Sequence, residues 1–398
     1  MPFTYHRQSL TNDIDLANST GIEIGPLVNP MVRKSESNVH YVDRATTEEL
    51  KEWYAKDPAL NVDDIMDISY VWGDQSLAEA TGGEEQFDYC IASHVIEHIP
   101  DLITWLNEIS SVLKPGGIAS FAVPDRHYTF DYLRPETTLA DLVDAHLKKL
   151  RKPTSRHIYD HFANFAEVDV MAAWSKDFRP DQLKRKNTKE RIYGVCKDAL
   201  ENDKYIDSHC SVFSFDSFFS LLQGISELGL LDFQVKKVFP TKRGMFEFFV
   251  QLEKLDSQLD TKKKFERFTK SLEQGTFFEV TMSANTPCVS KLYFDVGNGF
   301  CEQDTTEVHY RTPQQAQTLR FELPHANIKQ FRFDPSDHEL EIEINQIRIT
   351  DDTDRIDIEL NSVNAANDFI ESKFENGTLH CLTAPEAKDP YFLVNIGL

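Results

Sequence analysis

Between Gly21 and Val123 the chain swings repeatedly between short apolar runs and helical patterns, and this alternation narrows the folds open to it. Gly21-Ile22-Glu23-Ile24-Gly25 reads as a strand closed by a glycine turn. Val39 to Asp43 is a second strand, Thr47 to Tyr54 a helix, Ile65 to Trp72 a third strand and Phe87 to Ala92 a fourth. Leu102, Trp105, Leu106, Ile109, Val112 and Leu113 recur at helical spacing and predict an amphipathic helix. Asp101 favours its start through the helix dipole, and Lys114-Pro115-Gly116-Gly117 stops it. Ile118 to Val123 is a fifth strand. Strands joined by helices imply βαβ units and a parallel sheet.

From Asp125 to about Val212 the pattern breaks into a polar, His-rich and aromatic block with little strand character. Regular α/β reading resumes with a helix over Phe215 to Leu228 and strands over Leu231 to Val238 and Phe246 to Leu252. The block therefore reads as a helical insertion, residues 125–212, within an α/β domain of residues 1–255. Residues 256–275, centred on Lys262-Lys263-Lys264, read as a charged helical or linker stretch. Residues 276–398 then alternate apolar and polar, as in Glu341-Ile342-Glu343-Ile344, with Gly, Pro, Asn and Asp between the runs. That is the signature of an antiparallel β-sandwich.

The formal net charge is −23, and the last 123 residues carry 21 acidic against 9 basic side chains. Neither part offers the basic face that phosphate binding needs, so nucleic acid is excluded as a partner. An anionic membrane surface is excluded on the same ground. No apolar run reaches membrane-spanning length. Residues 1–10 lack an apolar signal core, and the six cysteines show no CxxC spacing. These features predict a cytoplasmic protein with reduced thiols.

Gly25 ends the first strand where a helix should begin. A glycine there lets a ligand approach the backbone, and a helix N-terminus would offer unpaired N–H donors. Asp43 follows at the end of the second strand, where an acid can hydrogen-bond ribose hydroxyls. Alone, the pair is weak evidence, since a tight turn and a solvated carboxylate give the same pattern more often than a nucleotide-like ligand does.

Three segments add to this. Ile22-Glu23-Ile24-Gly25, Phe87-Asp88-Tyr89-Cys90-Ile91-Ala92-Ser93-His94-Val95-Ile96-Glu97-His98-Ile99-Pro100-Asp101 and Leu113-Lys114-Pro115-Gly116-Gly117 resemble, in order and spacing, motifs of class I S-adenosylmethionine-dependent methyltransferases. The resemblance spans Gly21 to Val123 and, more loosely, Phe213 to Leu252. It implies a Rossmann-like sheet with S-adenosylmethionine as cofactor. By its implication Glu23 and Gly25 shape the methionine pocket and Asp43 binds the ribose. Trp72, Gly73 and Asp74 would flank the adenine, and Ala92, Ser93 and His94 line the cofactor beside the fourth strand. One departure stands out: the family's further glycines are replaced by Gly25-Pro26-Leu27-Val28-Asn29-Pro30, and proline has no N–H to donate. This variant resembles methyltransferases of bacterial surface-glycan clusters. Phe331-Arg332-Phe333-Asp334-Pro335-Ser336 and Tyr293-Phe294-Asp295-Val296-Gly297 look like segments of β-sandwich modules appended to bacterial glycosyltransferases. The implied acceptor is a small molecule or glycan, in assembly with glycan-biosynthesis enzymes.

His94 and His98 lie four apart and would share a face if a helix begins there. Neutral imidazole can take a hydroxyl proton, which makes His94 a candidate base and His98 a structural residue. The segment leaving the fifth strand, with His127 and Asp131, should face the acceptor, because sites in open α/β sheets lie at the carboxyl ends of strands. His157-Ile158-Tyr159-Asp160-His161-Phe162 is either a catalytic cluster, with His161 as a further catalytic candidate, or a polar helix. Its spacing matches no metal motif, and no metal site is assigned. Tyr128, Phe130, Tyr132, Tyr159, Phe162, Phe165 and Trp174 could stack on sugar rings or form the core of a helical cap. The expected reaction is methyl transfer to an oxygen of a sugar or glycan-related acceptor. The alternatives are transfer to a lipid or secondary metabolite, or a non-catalytic glycan-binding or scaffold protein with a degenerate Rossmann domain.

Overall fold

The computed structural model describes residues 2–58, 60–175, 178–242, 244–272, 277–295, 299–300, 305–323, 328–336, 338–350, 355–367, 369–384 and 390–395. Val296 and Gly297 lie outside them. The chain divides into two compact units, Met1–Leu272 and Glu273–Leu398.

The first unit opens with a helix absent from the sequence expectation, α1 (Pro2–Thr11). There follow β1 (Thr20–Ile24), β2 (Asn38–Asp43), α2 (Thr47–Tyr54), β3 (Tyr70–Val71), α3 (Leu77–Thr81), β4 (Phe87–Ser93), α4 (Leu102–Val112) and β5 (Leu113–Pro124). The insertion supplies α5 (Leu139–Lys148), α6 (Ser155–Asn164), α7 (Val170–Ala173) and α8 (Lys189–Glu201). The unit ends with α9 (Phe215–Glu227), β6 (Phe233–Phe239), β7 (Glu247–Lys254) and α10 (Thr261–Leu272). The seven strands lie in the order β3-β2-β1-β4-β5-β7-β6. All neighbours run parallel except β7, which is antiparallel to both β5 and β6. The parallel-dominated sheet resembles the Rossmann-like methyltransferase sheet.

Side chains alternate across a strand, so each strand feeds two cores. Cys90 and Ala92 of β4 join Trp105 and Leu106 of α4 on one face. Tyr89 and Ile91 join Leu10 of α1 and Phe249 of β7 on the other. Tyr89 leaves room for nothing larger than hydrogen at Gly21, where a Cβ would stand 2.2 Å from its ring. The expected face of α4 is buried, and Asp101 caps it by accepting from the Thr104 amide at 3.0 Å.

Three expectations change. No helix follows β1: residues 26–37 form turns, so the expected helix N-terminus and its N–H donors are absent. Pro26 and Pro30 in this short loop explain why. The third strand shrinks to Tyr70–Val71. The expected linker holds α10, whose Phe268 is fully buried in the main core. Its charged residues occupy the outer face of an amphipathic helix, and the Ser271 hydroxyl accepts from the Val235 amide of β6 at 2.8 Å.

The second unit is all strand with one short 3₁₀ turn among its described residues. One antiparallel sheet joins Thr305–Tyr310, Cys288–Asp295, Gln330–Asp334, Tyr391–Asn395 and Asn364–Ala366 in that order. The other joins Gln317–Glu322, Phe277–Ala284, Glu341–Thr350, Thr378–Thr383 and Phe369–Glu375, with Arg355–Ile358 also paired to Glu341–Thr350. The two sheets face each other across one apolar core, where the rings of Phe278 and Phe331 lie 4.8 Å apart. This is a β-sandwich.

Candidate functional site

The carboxyl ends of β1 and β4 open into a cavity of about 410 Å³. Of the residues expected at the cofactor, Glu23, Gly25, Ser93 and His94 line it. Gly25 turns at φ +67°, a conformation glycine adopts without strain, and its amide donates to Val42 at 2.9 Å. Glu23 is buried and shapes the loop from below. Its carboxylate accepts from the amides of Met31 at 2.7 Å and Val32 at 3.0 Å. Burial pushes its pKa up to about 7, with the two amides and Arg7 acting the other way. In place of a helix N-terminus, a buried carboxyl group thus organises the proline-rich turn.

The remaining expected residues stand apart from this cavity. Ala92 points into the main core. Trp72 donates from its indole to Glu108 of α4 at 3.1 Å and stacks on Trp105, while Gly73 and Asp74 are exposed. The indole is therefore spent on packing α4. Asp43 ends β2 as expected, accepting from the Arg44 amide at 2.7 Å, and burial raises its pKa. Beside it the Arg44 guanidinium lies 3.4 Å from the ring centre of Tyr205, so the insertion reaches back over the end of β2.

His94 does not share a helical face with His98. It adopts φ +53°, a 3₁₀ turn spans Ile96–His98, and α4 begins only at Leu102. The kink places Glu97 between the two imidazoles. His94 Nδ1 lies 3.6 Å from Glu97 Oε1, and its Nε2 lies 3.6 Å from Glu247 Oε2. Burial alone would lower the His94 pKa, but the Glu247 and Glu97 carboxylates overcome it and push the pKa up to about 10. His94 is thus an imidazolium at neutral pH, which has no lone pair to take a proton.

Several groups at the site were not anticipated. His6 of α1 pairs with Glu247 at 3.0 Å and with the Ser93 hydroxyl at 2.9 Å. Glu247 is the single acid in the apolar stretch Met245 to Leu252, a signal the sequence did carry. Burial raises its pKa, but bonds from His6 and His94 outweigh this and bring it to about 2. Its Oε2 accepts no hydrogen bond. Asp125, just beyond β5, holds His127: its Oδ1 accepts from the His127 amide at 3.0 Å and pairs with Nδ1 at 2.8 Å. Asp125 Oδ2 accepts from the Thr241 hydroxyl at 3.0 Å.

Deeper in the insertion, His209 Nδ1 pairs with Asp131 at 2.5 Å, and Arg134 bridges Asp131 and Asp160 at 2.8 Å each. His161 is buried beside Phe130, Phe162, Phe165 and His209, accepting from the His209 amide at 3.2 Å. Burial lowers its pKa to about 4. His157 accepts from the Thr154 amide at the start of α6. The cluster around residues 157–161 is therefore chiefly helix cap and buried support. The aromatics divide the same way: Tyr128 stacks on Trp174 at 4.0 Å and Phe130 on Phe165 at 4.6 Å, forming the core of the insertion.

Residues 16–177 match the family model of a methyltransferase domain. No curated protein matches the chain. Among solved structures, an S-adenosylmethionine-dependent methyltransferase from Mesorhizobium loti is 13% identical with TM-score 0.30, covering 60% of this chain and 93% of that one. One from Methanosarcina mazei is 16% identical with TM-score 0.29, covering 60% and 93%. A Rhodobacter sphaeroides protein described as a zinc-dependent alcohol dehydrogenase is 12% identical with TM-score 0.36, covering 63% and 89%. The methyltransferase-domain match over residues 16–177, together with the motifs, supports an S-adenosylmethionine-dependent methyltransferase, with S-adenosylmethionine as its cofactor. No helix among the described residues is long and apolar enough to cross a membrane.

Proposed function

We propose that the enzyme methylates a hydroxyl of a small, sugar-like acceptor, with His127 as the base. The Asp125–His127 pair carries this reading. A carboxylate on Nδ1 fixes the tautomer with its proton there and leaves the Nε2 lone pair available to a hydroxyl proton. The pair leaves the carboxyl end of β5, where open α/β sheets place their ligands. Asp125 is itself anchored through Thr241 and the Phe246 carbonyl, and Phe246 lines the cavity.

The cavity suits the cofactor's charge. The buried Glu247 Oε2 lacks a hydrogen bond, and S-adenosylmethionine brings a sulfonium and an ammonium. Glu23, Gly25 and Ser93 would border its methionine end, and Asp43 would bond the ribose. The bound cofactor supplies an activated methyl group, so the protein mainly positions the acceptor and excludes water. His94 would orient Glu97 and Glu247 as a charged residue between them. The insertion would cover the acceptor. The likeness of the C-terminal segments to glycosyltransferase modules supports a role beside glycan-biosynthesis enzymes.

The test measures S-adenosylhomocysteine release with panels of sugars, nucleotide sugars and glycans against fatty acids, phenols and amines. Turnover is expected in the sugar panels, with His127→Ala losing 10²-fold or more, roughly the contribution of a positioned base. Turnover confined to amines, or to apolar acceptors, would overturn the reading.

A further inference from the structure

A second constellation lies one imidazole beyond the cavity. Glu97 is 2% exposed, yet its Oε2 accepts no hydrogen bond. Its Oε1 faces His98 Nε2 at 3.9 Å and His209 Nε2 at 4.0 Å, both too long for hydrogen bonds. The three ligand atoms lie within 4.8 Å of one another. The two rings meet edge to face, with centres 4.6 Å apart.

Each imidazole is held from behind. His98 Nδ1 pairs with Asp207 at 3.0 Å, and His209 Nδ1 with Asp131 at 2.5 Å. A carboxylate on Nδ1 puts the ring proton on that side and turns the Nε2 lone pair inward. With both Nε2 atoms unprotonated, two lone pairs and a carboxylate converge on one point, and His94 Nδ1, 3.6 Å from the same Oε1, stands too far off to donate a hydrogen bond. A cation within bonding distance would relieve this arrangement, because acceptors repel and the buried Oε2 goes unmet. The charges agree: Glu97, Asp131 and Asp207 outnumber the two cations beside them, the His94 imidazolium and the Arg134 guanidinium. Carboxylates behind metal-bound histidines are the usual means of fixing their tautomer and orientation.

We propose that Glu97, His98 and His209 bind a divalent first-row transition-metal ion. Imidazole and carboxylate donors suit Mn²⁺, Fe²⁺, Co²⁺ or Zn²⁺. Donors about 2.1 Å from a tetrahedral ion stand about 3.4 Å apart, so the Glu97 separations of 3.9 and 4.0 Å would close by about 0.5 Å each. Three protein ligands leave positions for water or an oxygen ligand. The binding site stands on these contacts alone. A part for the ion in polarising the acceptor hydroxyl would rest on the reading proposed above. No motif spacing predicts it, because His209 lies 111 residues from His98 and enters from the far end of the insertion.

The experiment titrates Co²⁺ alone into the chelator-treated full chain and reads its visible absorption and stoichiometry. One equivalent per chain is expected, with a band absent from Co²⁺ in buffer. His98→Ala and Glu97→Gln should weaken binding at least tenfold, and His6→Ala should leave it unchanged. Asp207→Asn should weaken it about tenfold; that side chain is 63% exposed, so its loss leaves the fold intact. Absence of saturable binding in the wild type overturns the site, as does wild-type affinity in both His98→Ala and Asp207→Asn. Loss of binding in His6→Ala but not in His98→Ala would place the ion among His6, His94 and Glu247 instead, and overturns it too. None of these readings involves an acceptor, so the site can fail while the acceptor assignment stands, and the reverse.

Discussion

At the scale of single residues, burial decides which charges function and which support. Asp43 ends β2, where both hydroxyls of a bound ribose would depend on it. Asp43→Ala should weaken S-adenosylmethionine binding by about 1–3 kcal/mol, the cost of leaving buried polar groups unmet, as calorimetry would show. Unchanged affinity in the folded variant would remove Asp43 from the cofactor site. Glu23 gives a pH prediction. Its folded pKa is about 7 against 4.5 for the free group, so the native state holds an extra proton between those values. The unfolded chain binds fewer protons there, and stability therefore falls as pH rises from about 4.5 through about 7. Relative to Glu23→Gln, the apo wild type should lose on the order of 2–3 kcal/mol between pH 5 and pH 8. Urea unfolding of both proteins at each pH would measure it, and parallel behaviour would refute the burial argument. His161 and His127 should separate in transfer assays. The buried His161 supports its neighbours, so His161→Phe should retain activity if the fold holds, whereas His127→Ala should not.

At the scale of elements, the insertion and α10 show how polar sequence hides tertiary function. The residues Lys189 to Glu201 look solvated, yet Ile192, Cys196 and Ala199 pack against Ile158 of α6 and form a separate small core. The linker-like run after Asp260 contains Phe268, fully buried against the main sheet core. Removing a buried phenylalanine ring costs about 3–5 kcal/mol. Phe268→Ala should therefore destabilise the first unit by that amount in chemical denaturation, where an unpacked linker would show almost no change. A chain cut after residue 255 should aggregate for the same reason.

At the scale of the whole molecule, the two units each have their own core. Residues 1–272 should fold alone and bind S-adenosylmethionine, measured by thermal shift and calorimetry. A truncation that loses cofactor affinity would mean that the β-sandwich contributes to the site. The sequence by itself determined the sheet, because βαβ alternation is local and its period reveals it, while the contiguous motifs at Gly25 and His94 carry the resemblance that implies the cofactor. It also determined the β-sandwich, because alternation with period two is written in every strand. What only the tertiary structure decided is the charge and partnership of the site. His6, Glu97, His98, His209 and Glu247 come from α1, the segment after β4, the end of the insertion and β7. A pKa depends on what surrounds a group in three dimensions, and no spacing along the chain encodes that. His94 is legible as a histidine at the end of the fourth strand, but only the fold reveals the two carboxylates 3.6 Å away, one of them brought in by β7, that push its pKa up.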